Sequence, residues 1–317
     1  MPSAISTRHL SRSFGQRKAV DDLTIDIQQG ELFSLLGTNG AGKTTTIRML
    51  CCLLQPTAGE ATVLGHDLVN GNNALIKNVI GVSPQETAIA GHLTTKENLI
   101  LMGRVHGQDK KAASIRAEQL MELMELEDRK EWTKRLSGGQ QRRLSIAMAL
   151  VSDPQIVFLD EPTLGLDPHA RKSVWNYIER LKGEKTILLT THYLEEADAL
   201  SDHLAIMDNG KVIASGTSRE LKQQLVRNRP LRVTANTFPD AIISQLTEAG
   251  YQVETIDHGL DISASQMDIY AVVDLLRNNH IELTGINLQE PTLDEVFLTL
   301  TGKSTPEPSS PSKPVKP

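Results

Sequence analysis

The sequence predicts an α/β fold with a mostly parallel core sheet, followed by a smaller α+β domain. Three observations carry that prediction. Two short runs with apolar centres, IVFLD at 156–160 and TILLTT at 186–191, read as buried strands. A glycine-rich turn, GTNGAGKT at 37–44, lies between an apolar strand and a helical stretch. Beyond Asn228–Pro230 the pattern changes to strand, helix, strand, strand, helix, strand.

Taken in order, residues 1–35 alternate apolar and polar positions in short runs broken by Gly15 and Gly30, as strands joined by turns do. From 36 to 225, short buried strands alternate with helices. The stretch 90–145 is helix-rich, with ASIRAEQLMELMEL at its centre, and reads as a helical insertion into the α/β core. The second domain is expected over 229–302. It runs LRVTAN (231–236), PDAIISQLTEAG (239–250), YQVETID (251–257), LDISAS (260–265), MDIYAVVDLLRNN (267–279) and IELTGINL (281–288), the ferredoxin-like order. PTLDEVFLTLTG then forms a short helix, with Pro291 suited to its first turn. The tail 303–317 is rich in Pro and Ser and is expected to be disordered.

Composition narrows the function classes. A length of 317 residues suggests two domains, here 1–228 and 229–302. Hydrophobic residues at 39% and charged residues at 23% fit an ordinary globular protein. The net charge of −6 argues against a nucleic-acid partner, which calls for a basic field. The two cysteines, Cys51 and Cys52, are adjacent, a spacing that fits neither a metal site nor a disulfide framework; they read as reduced thiols on a helix, in keeping with a cytosolic setting. The N-terminus lacks the apolar stretch of a signal peptide, and no apolar run approaches the ~20 residues of a membrane span. Any membrane role is therefore expected to run through a partner.

The turn Gly37-Thr38-Asn39-Gly40-Ala41-Gly42-Lys43-Thr44 matches G-x-x-x-x-G-K-[ST], in the strand-then-helix context that a phosphate-binding loop requires. Glycines let backbone N–H groups wrap phosphates, and the start of the helix at Thr44-Thr45 adds positive potential. Lys43 is expected to pair with β- and γ-phosphate oxygens, and Thr44 to offer its hydroxyl to Mg²⁺. The strand IVFLD ends in two acids, Asp160 and Glu161, at the edge where nucleotides bind in open α/β sheets. Asp160 is expected to hold Mg²⁺ and Glu161 to act as general base toward the attacking water of ATP hydrolysis.

At 136–140 stands Leu-Ser-Gly-Gly-Gln, and the stretch LSGGQQRRLSIAMAL resembles the signature and following helix of ABC cassettes. Ser137 and Gln140 also fit a capping box, so this is a capped helix start whose flanking glycines leave N–H groups open to an anion. The resemblance, over residues 4–225, implies a P-loop NTPase fold of ABC-cassette type, with an antiparallel β subdomain and a helical subdomain beside the parallel core. It implies that Ser137, Gly138, Gly139 and Gln140 meet the γ-phosphate held by a second cassette, so that two cassettes sandwich two ATP molecules, with a homodimer expected. It further implies a Q-loop Gln85 that senses Mg²⁺ and water, Asp167 in the loop that crosses the dimer interface, His192 as the switch residue at the γ-phosphate, and Phe14 stacking on adenine where Tyr is common. EPTLDEVFLTLTG at 290–302 resembles the closing segment of ABC-2-type exporter cassettes of the daunorubicin-resistance, nodulation and bacitracin-transport types. Two departures stand out: Thr38 where Pro is common, and Thr95 where an apolar residue is usual.

The resemblance as a whole implies a subunit that binds and hydrolyses ATP on the cytoplasmic face of the cell membrane. Its permease is then a separate transmembrane chain docking near residues 85–106. A soluble ABC ATPase acting on ribosomes or DNA is the competing reading. Such translation-type proteins usually carry two cassettes, whereas one loop and one signature occur here; DNA-repair relatives carry a long coiled coil, and no sustained heptads occur here. Intact Lys43, Asp160, Glu161 and His192 argue against a module that has lost catalysis.

Overall fold

A computed structural model describes residues 2–71, 73–128, 130–223, 230–257, 259–264, 268–288 and 291–302. They form two compact units, one running to Ser218 and one over Arg219–Gly302.

In the first unit, β1 (Ser3–Phe14) and β2 (Arg17–Gln28) form an antiparallel hairpin. The next strand, β3 (Leu32–Gly37), is buried at every position and leads through the glycine turn into α1 (Lys43–Leu50). Cys51 caps the end of α1, and Cys52 lies beyond it in the left-handed region at φ 57°, so only one of the two thiols borders the helix. β4 (Ala58–Val63) and β5 (His66–Asp67) return to complete an antiparallel sheet in the order β2-β1-β4-β5.

A helical region follows α2 (Asn73–Val79) and β6 (Ile80–Ser83): α3 (Thr95–Val105), α4 (Lys110–Leu123) and α5 (Gly138–Ala149). Each of these three starts on a polar cap, Thr94, Asp109 and Ser137, which explains where the chain enters helix. Then come β7 (Ile156–Asp160), α6 (Pro168–Leu181), β8 (Thr186–Thr191), α7 (Leu194–Leu200), β9 (His203–Asp208) and β10 (Lys211–Gly216). The central sheet has the order β10-β9-β3-β8-β7-β6, parallel except for β10. Alternate residues of its strands enter two cores. Phe33, Leu35, Phe158 and Leu188 pack with β1, β2 and α1, whereas Leu32, Val157, Leu159 and Leu189 pack with the helical region and α6. Both faces are covered, which is why β7 and β8 are buried at every position and their apolar residues are consecutive.

The second unit holds most of α8 (Ser218–Gln223), then β11 (Leu231–Ala235), α9 (Asp240–Glu248), β12 (Gln252–Ile256), β13 (Gly259–Ser263), α10 (Ile269–Asn278), β14 (Leu283–Leu288) and α11 (Leu293–Thr301). Its antiparallel sheet runs β12-β13-β11-β14, the arrangement that the strand–helix–strand–strand–helix–strand order anticipates. Leu231, Val233, Leu260 and Ile262 face Ile242, Leu246, Val272 and Leu276 of α9 and α10 in one core. The second unit takes in Arg219–Gly302, and the expected boundary at 228/229 lies outside the described residues. The expected linker Asn228 and the tail 303–317 lie outside the described residues. Pro291 precedes the last helix instead of sitting in its first turn: the Thr292 hydroxyl accepts the Glu295 N–H and makes Thr292 the cap.

Candidate active site

Strand register gathers the site. Leu36 of β3 lies opposite Thr191 of β8, and Asp160 of β7 lies opposite Thr190. The three strands therefore finish level, and the segments leaving them, the glycine turn, Glu161 and His192, emerge at one edge of the sheet.

The turn needs glycine for steric reasons. Gly42, the cap of α1, has φ 109°, and a Cβ there would sit 2.5 Å from the Ala19 carbonyl oxygen. A Cβ at Gly37 would sit 2.5 Å from the Met207 carbonyl oxygen. The Ala41 N–H donates to the Thr38 carbonyl at 3.1 Å and closes the loop. Lys43 Nζ donates to the carbonyls of Gly37 at 2.7 Å and Thr38 at 3.2 Å, and stands 3.3 Å from Glu161 Oε1. Burial pulls the Lys43 pKa down, against the opposing charges of Glu161 and Asp160.

Asp160 is buried, and its Oδ1 accepts the hydroxyls of Thr190 and, at 3.2 Å, of Thr44. Glu161 adopts φ 49°, a left-handed conformation that costs a non-glycine residue about 1–3 kcal/mol. Its N–H offsets part of that by donating to the Thr190 carbonyl at 3.0 Å and hydroxyl at 3.1 Å. The conformation turns the carboxylate away from the strand axis, so that Oε1 faces Lys43 and Oε2 lies 3.2 Å from His192 Nδ1. Burial raises the Glu161 pKa, but the His192 hydrogen bond and the Lys43 charge outweigh it, and the carboxyl sits below the ordinary glutamate value. His192 in turn packs against Tyr193, with ring centroids 4.1 Å apart.

Above this edge lies a cavity of about 460 Å³ lined by Phe14, Arg17, Ala19, Asn39, Gly40, Gly42, Lys43, Thr44, Thr45, Gln85 and Glu161. Phe14 is half-exposed, with the Arg12 guanidinium 4.7 Å from its ring centroid. The lining combines an aromatic face with the glycine turn and Lys43.

Not every expected residue joins this group. Ser137, Gly138, Gly139 and Gln140 do not line the cavity. They start α5 in a complete capping box: Ser137 Oγ accepts the Gln140 N–H and Gln140 Oε1 accepts the Ser137 N–H. A Cβ at Gly139 would come 3.1 Å from Ala170 Cβ, so this glycine lets α5 approach α6 closely. Asp167 caps α6, accepting the N–H groups of His169 and Ala170 at 3.0 Å.

Sequence reasoning missed Arg142. This side chain of α5 is buried and donates to the carbonyls of Pro84 at 2.7 Å, Gln85 at 3.2 Å, Asp160 at 2.7 Å, Pro162 at 2.6 Å and also Glu161. It ties the segment of Gln85 to the end of β7. Burial lowers its pKa to about 10, which leaves it charged at neutral pH. The signal was present: Arg142 falls in the inward stripe of α5 with Ile146 and Ala149, where a charge needs partners. Glu196 of α7, fully buried, was missed in the same way.

A family model described as ABC transporter matches residues 20–164. The daunorubicin resistance ATP-binding protein DrrA3 of Streptomyces coeruleorubidus is 40% identical over 309 residues, covering 95% of this chain and 96% of that one. The Nod factor export ATP-binding protein I of Rhizobium sp. (strain N33) is 36% identical over 304 residues, covering 95% and 97%. The dimeric structure of MJ0796, a bacterial ABC transporter cassette, is similar with a TM-score of 0.61 at 25% identity, covering 67% of this chain and 98% of that one. Identity at this level over nearly the whole of both chains goes with a site built for a nucleotide: the chain belongs to the ATP-binding proteins of ABC transporters, and it is an ATPase.

Proposed function

We propose that this chain is the motor subunit of an exporter, working as a homodimer on the cytoplasmic face of the membrane beneath a separate permease. The observation that carries the dimer is the placement of Ser137: the signature stands outside the cavity that holds the P-loop of its own chain. A second copy would bring its signature to that cavity, as in the family, and the similar MJ0796 cassette is dimeric.

Within the cavity Phe14 stacks on adenine, and Asn39 to Thr45 wrap the phosphates with backbone N–H groups. Lys43 pairs with phosphate oxygens. The donors for Mg²⁺ fit a hard cation: the Thr44 hydroxyl and Asp160 carboxylate lie 3.2 Å apart, and Gln85 lines the same cavity. When bound, the ion neutralises charge on the phosphates. Glu161 accepts the proton of the attacking water, His192 orients Glu161 and faces the γ-phosphate, and Ser137 with Gly138, Gly139 and Gln140 contacts that phosphate from the partner copy.

Among the described residues no helix is long and apolar enough to cross a membrane. Docking to a permease near residues 85–106 is supported by a groove of about 390 Å³ lined by Leu53, Val82, Pro84, Met102 and Met148. Leu101 and Val105 of α3 are exposed beside it, an apolar patch of the kind that marks an interface. Export as the direction is supported by the relatives named for drug resistance and Nod factor export. The test is purification of the tagged Glu161→Gln chain from native membranes with and without ATP. A stoichiometric polytopic membrane chain, and an ATP-dependent dimer of this chain, are the expected result. An ATP-loaded monomer would remove the sandwich, and ribosomes or DNA-repair proteins in place of the membrane chain would remove the exporter.

A further inference from the structure

Glu196 takes no part in the cavity, yet it is fully buried between the elements that carry the site. Its Oε1 accepts the Thr163 hydroxyl at 2.8 Å and the Trp175 indole N–H at 2.9 Å. Thr163, itself fully buried, stands two residues after Glu161 in the turn that lifts the carboxylate off β7. Trp175 belongs to α6. Glu196 belongs to α7, whose first residue follows His192 and Tyr193 directly. Arg171 of α6 lies over the Tyr193 ring, 4.2 Å from its centroid. One carboxylate oxygen thus joins the turn of Glu161, the helix that begins at the Asp167 loop, and the helix that begins at His192. Burial pushes the Glu196 pKa up, against the pull of Thr191, Thr163, Trp175 and the Arg171 charge.

We propose that Glu196 is a positioning residue for ATP hydrolysis: through Thr163 it holds the turn after Glu161 against the helix of His192, and so keeps the Glu161 carboxylate and His192 ring in register. The left-handed backbone at Glu161 makes such a tie necessary, because nothing intrinsic to a glutamate favours that conformation. The proposal rests on the roles of Glu161 as base and His192 as its orienting partner.

The test is steady-state ATPase kinetics of the full chain with four variants. Thr163→Val and Glu196→Met remove the hydrogen bond; Thr163→Ser and Glu196→Gln keep a donor and an acceptor. Thr163→Val and Glu196→Met are expected to lower kcat about tenfold with KM for ATP held within about twofold, the mark of an interaction that matters in the transition state. Thr163→Ser and Glu196→Gln are expected to retain kcat within about threefold, and the double variant Thr163→Val/Glu196→Met to be no worse than its poorer parent. Should Glu196→Met fail to fold, Thr163→Val, which exchanges a hydroxyl for a methyl, carries the test. Wild-type kcat in Thr163→Val overturns the proposal, as does a rise in KM that matches the fall in kcat. A Glu196→Gln variant as poor as Glu196→Met also overturns it, assigning Glu196 instead to charge balance with buried Arg142, whose charged form the Glu196 charge favours. Glu161→Gln, measured alongside, separates the two levels: if it keeps turnover the base assignment falls, and if it loses turnover while Thr163→Val does not, only the positioning role falls.

Discussion

Lys43 Nζ lies 3.3 Å from Glu161 Oε1, and both side chains are all but closed to solvent. The side chain proposed to meet phosphate and the one proposed to meet water thus form one ion pair. Lys43→Ala removes the phosphate partner and leaves Glu161 facing only His192. ATP affinity is expected to fall at least about tenfold, the loss of one charge-assisted contact. Glu161→Gln keeps the shape of the pair, so ATP binding should persist while kcat drops at least about a hundredfold with loss of the base. Nucleotide titration and single-turnover hydrolysis measure the two effects separately.

The same carboxylate makes stability depend on acid pH. The Glu161 pKa is held below its ordinary value of 4.5, so the unfolded chain binds the proton more readily than the folded one. This stabilisation is complete above the unfolded pKa and is lost as pH falls through the folded one. Glu161→Gln has no such increment. Its thermal midpoint should fall less than that of the wild type between pH 5 and pH 3, and equal slopes would show that the pair adds nothing.

Arg142 binds carbonyls on both sides of the catalytic strand end. Lys cannot reach them in the fan that a planar guanidinium provides. Arg142→Lys should therefore cost at least about 1.5–3 kcal/mol, the range for one hydrogen bond to a charged group, and lower kcat through displacement of Glu161 and Gln85. Chemical denaturation and ATPase assays read both. Unchanged activity in a folded variant would confine Arg142 to stability.

Ser137 and Thr94 each cap a helix through a complete capping box. Replacing either by Ala should cost about 1 kcal/mol of stability. Only Ser137→Ala should also depress ATP turnover, because only Ser137 is proposed to face the partner's nucleotide. Equal turnover in the two variants would reduce the signature serine to a cap.

Phe14 presents half its surface, backed by Arg12 at 4.7 Å. Stacking on a base contributes roughly 1–3 kcal/mol. Phe14→Ala should accordingly raise KM for ATP about tenfold or more with little change in kcat, whereas Phe14→Tyr should match the wild type. A fall in kcat alone would place the ring outside the adenine subsite.

Much of this was legible in the chain because the informative features are local. GTNGAGKT needs only its flanking strand and helix to be read, and β7 and β8 occupy the spans that IVFLD and TILLTT delimit, since strands buried on both faces carry consecutive apolar residues. The Ser137–Gln140 capping box lies within one helical turn. The order of elements in the C-terminal unit was equally plain, because each helix and strand there keeps its own period. What tertiary structure alone decided is which distant residues meet. Register between β3, β7 and β8 sets Lys43 against Glu161, residues 118 positions apart by subtraction of their numbers, and turns His192 onto the same carboxylate. The left-handed turn at Glu161, the fan of carbonyls on Arg142 and the grip of Glu196 on Thr163 and Trp175 depend on long-range packing that no local pattern encodes. A sequence records the period of an element and the chemistry of a side chain; the pairing of buried charges is settled only when packing removes the water that would otherwise solvate each of them separately.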